Sequence, residues 1–281
     1  MRLQKWIGIG IVSATMSATS AMADTTATKD SQLPLLLVGA SYAEAKTPYN
    51  NGIAPLGGIA VGFGSYLSLG AALTRSPLLP GYLINEGQAG ATTFARQACA
   101  PGASTCGPAG WDSYATQLQK ALSRVAQPPS FTTYNAKYVV ILSPNDCLHA
   151  DAFGVPQTTT SPCSLAQMNQ VADRLVAVGN QARAAGLTPI FDVMPRYKQL
   201  NLPLFQSLYG LAWVISENDY NTLRSVTSTR VKAEVPGVIQ IDIWKDFVNI
   251  GDGIHPTPET ARKAAQAVAV ELLRRDHPHD H

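Results

Sequence analysis

The sequence predicts a three-layer α/β/α sandwich around a parallel sheet of about five strands. Short apolar runs alternate with longer segments of helical periodicity along most of the chain. The runs are rich in Val, Ile and Leu and nearly continuous, as strands covered by helices on both faces are. Small polar motifs follow directly after several of these runs, where sites form in open parallel sheets.

The expected strands are Leu33–Gly39, Tyr82–Asn85, Tyr138–Leu142, Thr188–Val193 and Val238–Ile243, each bounded by Gly, Pro or Asn. Helices are expected between them. Gly62–Thr74 is one. Trp111–Val125 is another, with Tyr114, Leu118, Leu122 and Val125 at helical spacing. Ser164 is placed to cap a long helix running to about Ala185, with Met168, Val171, Leu175 and Val178 on one face and Gly186 at its end. Tyr220–Val235 follows. Thr257 is placed to cap the last helix, with Pro258 at its first position and Glu259 in its first turn.

The 281 residues leave room for one domain with a sizeable core. Residues 1–23 read as a secretory signal peptide. Arg2 and Lys5 precede a short apolar stretch, and Ala21-Met22-Ala23 supplies the cleavage site. The stretch is too short for a stable membrane span. Residues 24–30 read as a flexible tail, 31–276 as the domain and 277–281 as a disordered end. The formal charge of +2 includes the two basic residues of the leader. No basic patch points to nucleic acid.

The four cysteines are Cys99, Cys106, Cys147 and Cys163, and an even number in an exported chain favours disulfides. Three pairings are possible. Cys99–Cys106 and Cys147–Cys163 each close a short loop rich in Pro, Gly, Ser or Thr. No Cys-x-x-Cys pair exists for zinc, so no metal site is expected.

Chemistry concentrates in four segments. Ser41 ends the first apolar run, in Gly39-Ala40-Ser41. Gly90 lies five residues after Asn85, in Asn85-Glu86-Gly87-Gln88-Ala89-Gly90. Asn145 follows the third run, in Ser143-Pro144-Asn145-Asp146. Asp252 and His255 lie in Gly251-Asp252-Gly253-Ile254-His255-Pro256. A serine hydroxyl becomes a nucleophile when a base takes its proton, and a carboxylate fixes the tautomer of a histidine that does so.

These four segments, in this order, resemble the blocks of the SGNH or GDSL hydrolases, a family named for its catalytic Ser, Gly, Asn and His. The resemblance spans Ser41 to His255 and implies a flavodoxin-like fold. It implies Ser41 as nucleophile, His255 as general base and then acid, and Asp252 as the group that orients His255. It implies an oxyanion hole from the Ser41 N–H, the Gly90 N–H and the Asn145 side chain, and no cofactor. Two positions depart from the family pattern: Ala40 stands where an acidic residue precedes the serine, and Ser143 stands at the first glycine of Gly-x-Asn-Asp.

The implied activity is an exported, periplasmic or secreted, esterase on small-molecule or lipid esters. Short-chain acyl esters or lysophospholipids are weighed against carbohydrate O-deacetylation, acyl transfer to an alcohol, and a non-catalytic binding protein on the same fold. The segment Leu200–Ile215 is rich in large apolar residues and reads as an acyl pocket wall, a lid or ordinary core. Asp146 reads as a loop-shaping residue. His149, after the Asn145 loop, reads as a residue near the site or, in preference, as a solvated loop residue, and His277, His279 and His281 as part of the frayed end.

Overall fold

A computed structural model describes residues 30–44, 66–76, 78, 83–97, 110–128, 130, 132–150 and 162–276. The expected leader, most of the expected tail, Cys99, Cys106 and residues 277–281 lie outside the described residues.

The central sheet has five parallel strands: β2 (Leu35–Val38), β3 (Leu83–Asn85), β7 (Tyr138–Ile141), β8 (Thr188–Asp192) and β9 (Ile239–Ile241). Their order is β3-β2-β7-β8-β9, with Leu36 opposite Ile84 on one side and opposite Val139 on the other. The chain therefore leaves β2 for one neighbour and returns to the other, which makes the end of β2 the switch point of the sheet.

Strand periodicity divides the core in two. Leu36, Val38, Val139, Ile141 and Phe191 point to one face, where they meet α2 (Tyr114–Ala126), α3 (Leu165–Ala184) and α5 (Glu217–Glu234). Leu35, Leu37, Val140, Leu142, Ile190 and Ile239 point to the other, against α1 (Leu69–Thr74) and α6 (Pro258–Asp276). Burial on both sides explains why all four residues of β2 are apolar. A short helix, α4 (Leu202–Tyr209), lies within the apolar segment before α5.

The helix starts are set by side chains. Ser68, Ser113, Ser164, Asn201 and Ser216 each accept a hydrogen bond from a backbone N–H in the first turn. These caps correct three expected boundaries. The first helix begins after Ser68 rather than at Gly62, although residues 62–65 lie outside the described residues. The second begins after Ser113, so Trp111 is not helical. The helix expected from Tyr220 begins three residues earlier, after Ser216.

Two small pairings carry no apolar run and had no sequence signal. β1 (Asp30–Gln32) runs parallel to β6 (Thr132–Tyr134), which takes Asp30 out of the expected tail. β4 (Arg96–Gln97) and β5 (Gly110–Trp111) form an antiparallel ribbon, which is where Trp111 belongs.

Candidate active site

The C-terminal corner around His255 is built from its own neighbours. Asn249 Oδ1 accepts from the N–H of Gly251 at 2.9 Å and of Gly253 at 3.3 Å. Asp252 Oδ1 accepts from the N–H of Ile254 at 3.0 Å and of His255 at 2.9 Å. The Ile250 N–H donates to the His255 carbonyl at 2.9 Å. Thr257 Oγ1 then accepts from the Thr260 N–H at 3.2 Å and starts α6. Gly253 has φ +98°, and a Cβ there would lie 2.2 Å from the Asn201 carbonyl oxygen, so glycine is required on both counts.

This corner presents the second carboxylate oxygen, Asp252 Oδ2, to His255 Nδ1 at 2.5 Å. Both side chains are buried, His255 to 1 % exposure. Burial by itself would lift the Asp252 carboxyl. The His255 ring and the two N–H groups outweigh it and hold the carboxyl below its usual range. With Nδ1–H donated to the carboxylate, the lone pair of His255 sits on Nε2.

Ser41 lies three residues past β2, in a turn where the Ala43 and Glu44 N–H groups donate to the Ala40 carbonyl at 3.0 and 3.1 Å. The buried Gln117 accepts from the Gly39 N–H at 2.9 Å and fixes the start of this turn. Ala40, where the family pattern has an acidic residue, is itself buried. Two tyrosines tie the Ser41 turn to the His255 corner. Tyr42 Oη donates to the Ile254 carbonyl at 2.6 Å. The Tyr66 ring stacks on the His255 ring at 4.5 Å, and its hydroxyl donates to Glu44 with the Ser41 carbonyl oxygen also 2.9 Å away.

Asn145 follows β7 on a loop held from several sides. Ser143 Oγ donates to Asp192 Oδ1 at 2.7 Å, at the end of β8, and Trp244 Nε1 donates to Asp192 Oδ2 at 2.6 Å. Burial nevertheless pushes the Asp192 carboxyl up to about 6. Tyr114 Oη donates to the Ser143 carbonyl at 3.1 Å. Asp146, buried, accepts from the Thr93 N–H at 2.8 Å and the Thr93 hydroxyl at 2.6 Å, which joins this loop to the one that carries Gly90. The expected Cys147–Cys163 disulfide is present, with Cα atoms 5.4 Å apart.

Ser41 and Asn145 line one pocket, together with Tyr42, Ser143, His149 and Tyr220. Its apolar wall includes Leu148, Met194, Leu200, Leu202 and Ile254. Leu200 and Leu202 thus reach the pocket, while Phe205 and Leu211 of the same segment pack as a small core with Ala150, and Leu208 faces solvent. His149 is in the wall and not in a solvated loop. Its loop is pinned by a bond from the Ala150 N–H to the Trp213 carbonyl at 2.9 Å and one from the Ile215 N–H to the Leu148 carbonyl at 2.9 Å.

Gly90 does not line this pocket. It has φ +80°, its carbonyl accepts from the Arg96 guanidinium, and a Cβ would lie 2.9 Å from Trp111 Nε1. Sequence reasoning missed Tyr42, Tyr66, Asp192 and Trp244. Each acts across a turn or across tens of residues, and none sits in a recognisable motif.

No protein-family model and no curated protein matches the chain. Solved structures do. Est24, a carbohydrate acetylesterase from Sinorhizobium meliloti, is 18% identical with a TM-score of 0.51, over 87% of this chain and 100% of its own. A proposed SGNH hydrolase from Slackia heliotrinireducens is 16% identical with a TM-score of 0.48, over 86% and 99%. An inhibitor-bound aryl esterase from M. smegmatis is 18% identical with a TM-score of 0.48, over 86% and 98%. The fold of this chain is that of the SGNH hydrolases.

Proposed function

We propose that this SGNH-fold chain is an exported serine esterase that cleaves carboxylic esters through an acyl-enzyme on Ser41. The observation that carries the reading is the buried Asp252–His255 contact at 2.5 Å, tied through Tyr42 and Tyr66 to a turn whose Ser41 shares a pocket with Asn145.

In this mechanism Ser41 Oγ attacks the ester carbonyl carbon while its proton passes to His255 Nε2. Asp252 Oδ2 holds the Nδ1 proton and stabilises the imidazolium that forms. The carbonyl π pair moves onto oxygen, which accepts from the Ser41 N–H and the Asn145 amide; the Gly90 N–H, expected from the sequence as a third donor, lies outside the pocket that these two line. Collapse breaks the ester C–O bond, and the alcohol leaves with the proton from His255. Water then attacks the acyl-enzyme, giving a proton to the same nitrogen; collapse breaks the C–O bond to Ser41, Ser41 Oγ takes that proton back from His255, and the acid departs. Each step is proton transfer and acyl transfer, which these side chains supply without a cofactor.

The apolar wall formed by Leu148, Leu200, Leu202 and Ile254 suits an acyl chain, so short-chain acyl esters or lysophospholipid-type esters are the favoured substrates. Export rests on residues 1–23. N-terminal sequencing of protein recovered from a bacterial periplasm or medium would start at Asp24; a chain still beginning at Met1 would remove that part of the reading.

The test is hydrolysis of p-nitrophenyl acetate, butyrate and palmitate by purified mature protein beside Ser41→Ala. Activity is expected in the wild type and lost in the variant, with a chain-length profile that identifies the acyl group. Equal rates in both proteins, or no hydrolysis of any ester including acetylated sugars, would overturn the assignment.

A further inference from the structure

Among the described residues, the pocket has one polar side chain that the proposed reaction leaves unused. Tyr42 Oη is committed to the Ile254 carbonyl, Tyr220 Oη to the Pro195 carbonyl at 2.8 Å, and Ser143 Oγ to Asp192. Ser41 and Asn145 are assigned to nucleophile and oxyanion. His149 remains.

Its position is fixed more firmly than packing alone requires. His149 Nδ1 lies 2.7 Å from the Ala150 carbonyl oxygen, a contact that needs the proton on Nδ1 and leaves the lone pair on Nε2. The ring meets Phe205 edge-on at 5.1 Å. Two residues before it, Cys147 is bridged to Cys163, and the backbone on either side is bonded to the 213–215 segment. Burial, opposed only in part by the Ala150 carbonyl, pushes the imidazole down to about 4. At neutral pH the ring is therefore an uncharged acceptor in a wall that is otherwise mostly apolar. A preorganised acceptor of this kind in an apolar pocket discriminates in favour of a ligand that brings a donor.

We infer that His149 is a specificity residue whose Nε2 accepts a hydrogen bond from a hydroxyl on the bound ester, so that the pocket selects esters of polyhydroxy alcohols over plain alkyl esters. This rests on the esterase reading for its kinetic form but not for its binding form.

Glycerol 1-butyrate and propyl butyrate make the comparison, because they differ only in the two hydroxyls of the alcohol. Their kcat/KM values are measured for the wild type and for His149→Phe, which keeps a ring against Phe205 and removes the acceptor. Their affinities are measured by calorimetry on Ser41→Ala and on the Ser41→Ala, His149→Phe double variant. A preference for the glycerol ester of about tenfold, the size of one hydrogen bond, is expected in both assays and collapses toward one with phenylalanine. His149→Gln, which restores an acceptor, is expected to regain part of it. Equal treatment of the two esters by the wild type, or a preference that survives His149→Phe, overturns the inference while leaving the esterase reading intact. A binding preference lost with phenylalanine in a protein that hydrolyses neither ester supports the inference in its binding form, and the wider ester panel then decides the esterase reading.

Discussion

The two loops that frame the candidate site are held in opposite ways. The corner at residues 249–260 is set mostly from within: Asn249, Asp252 and Thr257 accept from N–H groups two to four residues away, while Asn201 and Tyr42 bond the Gly253 and Ile254 carbonyls from outside. The loop at residues 143–150 is held from outside, by Tyr114, Thr93, Asp192, Cys163 and the 213–215 segment. A self-contained corner can place a catalytic base with a few residues. An externally held loop places its donor only when the rest of the fold is assembled, and it can be moved by changes far from the chemistry.

The largest expected effect breaks the self-contained corner at its chemical centre. His255→Ala is expected to lower kcat/KM on p-nitrophenyl butyrate roughly ten-thousandfold. Asp252→Asn should cost less, about a hundredfold, because the ring keeps its place through the backbone of the corner while its tautomer is no longer enforced. A loss for Asp252→Asn as large as that for His255→Ala would show that the corner depends on the carboxylate for more than orientation.

Asn145→Ala tests the other loop. One oxyanion donor is worth about a hundred- to a thousandfold in rate, seen in kcat more than in KM. An effect confined to KM would assign Asn145 to substrate binding rather than to the transition state.

The disulfide sharpens the contrast further. Cys147 and Cys163 are 16 residues apart, and opening a loop of that size costs about 3 kcal/mol of stability. Replacing both with alanine is expected to lower stability to denaturant by about that amount. Retention of full rate at low temperature in the folded variant would show that the remaining external contacts suffice to hold Asn145.

The smallest expected effect is a pair of opposite pH dependences. The folded-state pKa of Asp252 lies below its unfolded value, so its stabilising contribution is present above about pH 4 and is lost as the pH falls through the folded value. Asp192 is raised to about 6. Between about pH 4 and 6 the folded chain holds a proton there that the unfolded chain has released, so this group's contribution to stability falls as the pH rises. Asp192→Asn should flatten the stability profile in that window. An unchanged slope between pH 4 and 6 would mean that Ser143 and Trp244 stabilise the carboxylate fully.

Where the sequence was legible follows the same division. The strands of the sheet read as apolar runs because both their faces are buried, and the helices read as periodic stripes with Ser or Thr at their starts. Asp252 and His255 were recognisable because the bonds that set them are local. His149 was misread as solvated because the contacts that bury it come from Phe205 and Trp213, more than fifty residues away. Trp111 was read as helical because its apolar spacing continues that of α2, and only the Ser113 cap and the pairing with Arg96 exclude it.

The sequence by itself determined the layered α/β fold and the order of the strand-end motifs, and it supplied the candidates for nucleophile, base and donors. Periodicity, capping and glycine conformation are local properties, and local energies specify them. The tertiary structure alone decided what surrounds those groups. It stacked Tyr66 on His255, buried Asp192 beneath Ser143 and Trp244, set Gly90 apart from the pocket wall, and turned His149 into that wall. Those arrangements depend on which strand ends and helices share one edge of the sheet, and that adjacency exists only once the two halves of the core have packed.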